Sequence, residues 1–78
     1  MELEELKEYF PNRIIKRKVR EVAVNRVRKD LILAGKGEDD LSEEDLEYLL
    51  ADAERAVWGD IKQTSLVGVL AMLGLSIT

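Results

Sequence analysis

The sequence predicts a small all-α bundle of three to four helices, and three observations carry that reading. Apolar residues recur at steps of three and four over much of the chain. Ser42 opens a well-signalled helix start. Pro11 and the pair Gly35 and Gly37 fall between the periodic stretches rather than inside them. At 78 residues the chain reads as a single small helical domain spanning 1–78, with no repeat and no linker. A chain of 8.9 kDa folding alone buries only about 60–65% of its unfolded surface. Completion of the bundle by a homodimer is therefore part of the expectation.

The first element is a short helix from Glu2 to Phe10, with Leu3 and Leu6 on one side. Pro11 disfavours helical geometry at the residue before it, and Asn12 suits an N-cap for the next helix.

A second helix is expected over Arg13 to Ala34. Ile15, Val19, Val22, Ala23, Val27, Leu31 and Ala34 fall at helical spacing, although Arg26 and Asp30 interrupt the stripe. The β-branched content supplies an alternative, an α+β fold with short strands within residues 13–33. No tight hairpin signal divides the segment, and its arginines favour helix. Gly35 provides the left-handed cap that ends it.

The third helix begins at Ser42. Glu43, Glu44 and Asp45 fill its first turn, where carboxylates complement the helix dipole, and Leu41 and Leu46 take the staple positions. Leu46, Leu49, Leu50, Ala53 and Val57 form its apolar stripe. Two continuations are open at Gly59: a stop with Asp60 capping a last helix, or a helix that runs through. The segment Leu66 to Leu75 is apolar nearly all round, and such a helix has to be covered on more than one side.

Composition excludes several chemistries. With no His and no Cys, the usual general base, the thiolate zinc sites and disulfides are absent. No catalytic residue, cofactor site or metal site is assigned, and the chain is read as not an enzyme. The acidic run around Asp40 fails the calcium-loop pattern, because Asp45 stands where that loop needs Gly and Ala51 where it needs Glu. Gly35-Lys36-Gly37 lacks phosphate-loop spacing. A ten-residue apolar stretch rises about 15 Å, half of a bilayer core of roughly 30 Å, so a membrane span is not expected. The absence of Cys fits a reducing compartment, and the N-terminal acidic residues oppose a signal segment. A cytoplasmic location is the expectation.

Charge is laid out in blocks: −3 over residues 1–12, +7 over 13–29, −9 over 30–60 and +1 over 61–78. The basic block could contact nucleic acid through Arg13, Lys16, Arg17, Arg20 and Arg28. Its eight cations are scattered around a helical wheel, and no aromatic residue lies between them to stack on bases. The acidic block offers them a partner inside the fold or the assembly. The leading functional expectation is thus a small non-enzymatic protein–protein interaction module acting as a homo-oligomer, with itself or another protein as partner. A nucleic-acid-associated protein using residues 13–29 is the alternative. The expected seam between copies is Leu66, Val67, Val69, Leu70 and Leu73, because one intramolecular face cannot cover them all.

Overall fold

The computed structural model describes residues 3–75, and among them it contains four α-helices and no strand. The expected helix start at Glu2 lies outside the described residues. Helix α1 spans Leu3–Lys7, α2 Asn12–Leu33, α3 Glu43–Gln63 and α4 Leu66–Leu73, with a single 3-10 turn at Glu38–Asp40 between α2 and α3. The all-α reading holds, and the strand alternative within 13–33 does not, because α2 is continuous through that whole stretch. Its β-branched residues are accommodated as core: Ile15, Val19, Ala23, Val27 and Leu31 are buried, each four residues after the last. Such a row is inclined to the helix axis, the ridge on which a neighbouring helix packs.

Local chemistry sets each boundary. Helix α2 starts one residue earlier than expected, so Asn12 is its first residue and Pro11 the cap, with no side-chain cap hydrogen bond. Proline suits that place because it has no N–H to leave unsatisfied. At the other end Gly35 takes φ 73°, the Lys36 N–H donates to the Leu31 carbonyl at 2.9 Å, and the Gly35 N–H to that of Ile32 at 3.0 Å. That pair of bonds satisfies the last carbonyls and reverses the chain. Ser42 caps α3, its hydroxyl accepting from the Asp45 N–H at 3.1 Å.

Of the two continuations open at Gly59, α3 takes the second and runs through it to Gln63. Asp60 is therefore mid-helix. The corner comes later, where the Thr64 hydroxyl donates to the Asp60 carbonyl at 2.6 Å and Ser65 caps α4 by accepting from the Gly68 N–H at 3.3 Å. Gly74 closes α4 at φ 69°.

Helices α2 and α3 form an antiparallel hairpin, the main contact of the molecule, and α4 lies against α2. The core gathers Leu6 from α1, Ile15 and Val19 from α2, Val57 and Ile61 from α3, and Val69 and Leu73 from α4. All these positions belong to the half of the hairpin nearer the termini. Toward the loop that joins α2 to α3, the hairpin is only two helices thick.

Candidate interaction surfaces

The structure redistributes the residues expected at a C-terminal seam. Val69 and Leu73 are buried within the single chain, so the fold itself consumes them. Leu66 and Leu70 are half-buried against the same core, and only Val67, 76% exposed, faces outward. The expectation is corrected for Val69 and Leu73. The apolar segment needs less cover than its length suggested, because its helix has only eight residues, and Ser65 and Gly74 bound it.

The basic block is partly neutralised within the fold. Arg20 on α2 reaches two carboxylates on α3, Glu54 at 3.0 Å and Glu47 at 3.4 Å. Hydrogen bonding to Glu54 and the charges of Glu47 and Glu54 raise the Arg20 pKa above its ordinary value. Arg26 pairs with Asp60 at 2.9 Å and approaches the Met72 sulfur at 3.9 Å. Within single helices, Lys18 pairs with Glu21 and Arg55 with Asp52, both at 3.3 Å. Arg13, Lys16 and Arg17 are exposed and have no ion-pair partner among the described residues.

The cations are less scattered than the helical wheel suggested. Lys16, Arg17, Arg20 and Arg28 line one open face of α2 together with Val24. Lys18, Arg26 and Lys29 lie off that face, and they produced the impression of scatter.

The two-helix half of the hairpin leaves a groove on each side. One, of about 380 Å³, runs over Val24, Val27, Leu46 and Leu50 with Arg28 and Glu47 at its rim. The other, of about 560 Å³, runs over Val27, Leu31, Ala34, Leu41, Leu49 and Ala53. Arg26 locates the second groove relative to α4. It reaches Met72 of α4, and Asp30, one turn further along the same side of α2, already lines the groove. The groove thus begins where α4 stops. Leu49 is 39% exposed at its edge, and Ile32 and Leu33 at the end of α2 are 75% and 77% exposed.

Sequence reasoning missed this surface. The signal was present in the α3 stripe: Leu46, Leu49, Leu50 and Ala53 form a face wider than α2 alone can cover. Among the described residues no group of three or more acidic side chains is arranged to hold a metal ion, and no helix is long and apolar enough to cross a membrane. Comparison with protein-family models, with curated proteins and with solved structures finds no match to this chain.

Proposed function

We propose that the chain is a small non-enzymatic protein–protein interaction module that acts as a homo-oligomer. One observation carries the reading: the loop-side half of the α2–α3 hairpin has an apolar face with no third helix on it among the described residues, running from Val27 and Leu31 to Leu49 and Ala53. Contiguous apolar surface of this kind marks contact sites in water-exposed proteins. Apolar side chains make up most of the lining of this groove, with Asp30, Lys36 and Asp52 beside them.

A second reading has a specific observation behind it. Arg13, Lys16 and Arg17, without ion-pair partners among the described residues, stand on the same helix as Arg20 and Arg28, and such a strip can displace counterions from a nucleic acid. Two facts count against it. Arg20 is already held by two glutamates, and the acidic face of α3 lies alongside. Native mass measured over a range of concentrations, with a duplex-DNA and an RNA titration at about 150 mM salt, separates the two readings. Concentration-dependent mass without nanomolar nucleic-acid binding supports the interaction module. Nanomolar binding by a chain that stays monomeric overturns it.

A further inference from the structure

We infer that the basic strip along α2 docks an acidic helical segment of another protein, whose carboxylates lie against Arg13, Lys16 and Arg17. The inference goes beyond the apolar grooves, since it concerns a second face and a different partner.

Spacing on the helix is the first support. Arg13, Arg17, Arg20 and Val24 follow one another at steps of four, three and four, so they form one row along a single side of α2. Lys16 stands beside that row on the same open face. The cations are exposed and Val24 is half-buried. Successive arginines are about 4.5–6 Å apart along the axis, which is also the spacing of carboxylates three or four residues apart on another helix.

The fold itself shows what this row pairs with. On α3, Glu43, Glu47, Leu50 and Glu54 repeat the same steps of four, three and four. Two of these carboxylates meet Arg20, Glu54 at 3.0 Å and Glu47 at 3.4 Å. Arg13, Lys16 and Arg17 continue the face toward the start of α2, exposed and without an ion-pair partner among the described residues. A second helix with the α3 pattern, glutamates around one leucine, fits that continuation, and guanidinium groups recognise carboxylates through paired hydrogen bonds.

Other polyanions fit less well. A duplex is wider than one helix, since its major groove alone admits one, and it would bring phosphates against Glu47 and Glu54 at the border of the strip. A single strand draws much of its binding from bases stacked on aromatic side chains, and residues 13–28 contain none. In a second copy, two of the three carboxylates in the matching α3 row are already held by its own Arg20.

The probe is a labelled peptide about four helical turns long, with glutamates at steps of four and three around one leucine, and its scramble is the control. Full-length chain is titrated against both by fluorescence anisotropy at about 50 and 150 mM salt, with duplex DNA and a single-stranded oligonucleotide alongside. Arg13→Gln/Arg17→Gln is compared with Lys7→Gln/Lys29→Gln, which removes the same charge away from the strip; circular dichroism confirms that each variant is folded. The patterned peptide should bind more tightly than its scramble, and Arg13→Gln/Arg17→Gln should weaken it about fivefold while the other pair changes little. Equal binding of the scramble, or equal loss in both double variants, overturns the strip. Tighter binding of either nucleic acid overturns the acidic helix as partner. Loss of wild-type self-association in Arg13→Gln/Arg17→Gln makes a second copy the occupant and likewise overturns it. Absence of peptide binding at hundreds of micromolar overturns the strip and leaves the groove reading standing, whereas a monomeric chain that binds the peptide overturns the homo-oligomer and leaves the strip.

Discussion

Ser42 shows how much one side chain can settle. Its hydroxyl satisfies an amide in the first turn of α3, where Glu43, Glu44 and Asp45 also meet the positive end of the helix dipole. Ser42→Ala should lower stability by about 1 kcal/mol, read as a shift in denaturation midpoint with an unchanged slope. Gly59 gives the opposite sign. It sits inside α3 with nothing within 4 Å of where a Cβ would stand, so Gly59→Ala should raise stability by about 0.5–1 kcal/mol in the same assay. Arg20 illustrates a contact governed by salt rather than pH. A base whose pKa is raised on folding contributes stability that is fully present below its unfolded pKa and is lost as pH rises through the folded one. Arginine titrates far above neutrality, so Arg20 adds no pH dependence around pH 7. Arg20→Gln should lower the midpoint at low salt, with the difference shrinking toward about 1 M NaCl.

Elements differ in how openly the sequence declares them. Helix α3 is legible at its start because capping is local: Ser42, the acidic turn and the flanking leucines lie close together in the chain. Its end is not. Gly59-Asp60 imitates a stop, yet glycine in a helix costs only about 1 kcal/mol, which buried Val57 and Ile61 on either side outweigh. Helix α2 is legible as one helix, within a residue of its observed bounds, although its β-branched residues also allow strands until the inclined row of buried positions is seen. The α3–α4 corner is also local chemistry, confined to residues 60–68, but the Gly59-Asp60 pair just before it offers a competing stop that masks it in the sequence. A Cβ on Gly68 would run into the Thr64 methyl, and Thr64 is fixed by its hydrogen bond to the Asp60 carbonyl. Gly68→Ala should therefore destabilise by about 1–2 kcal/mol despite the gain in helix propensity. Adding Thr64→Ser removes the methyl and keeps the hydroxyl, and thermal melts of the double variant should recover most of the loss.

At the scale of the whole molecule, the sequence leads to an expectation of self-association through the C-terminal segment, two of whose five named residues, Val69 and Leu73, the single chain buries. Large apolar side chains stay exposed in the single chain, Ile32, Leu33, Tyr48, Leu49 and Val67 among them. Periodicity cannot show where such side chains emerge, because that depends on which half of the hairpin receives α4. The fold places Val69 and Leu73 inside, buries Val27 and Leu31 at the floor of the groove, and leaves Leu41 half-buried and Leu49 exposed along it. The charge blocks are legible in the same incomplete way. Arg20 and Arg26 cross to acidic residues of α3, while Arg13, Lys16 and Arg17 stay exposed. The central claim is that the open groove is where copies meet. A dilution series followed residue by residue, through backbone amide nitrogen–proton shifts from hundreds of micromolar to a few micromolar, tests it most directly. Concentration-dependent shifts centred on Val27, Leu31, Ala34, Leu49 and Ala53 are predicted, with α4 moving little. A spectrum unchanged on dilution at a mass of 8.9 kDa, or shifts confined to Val67 and Ala71, would contradict it.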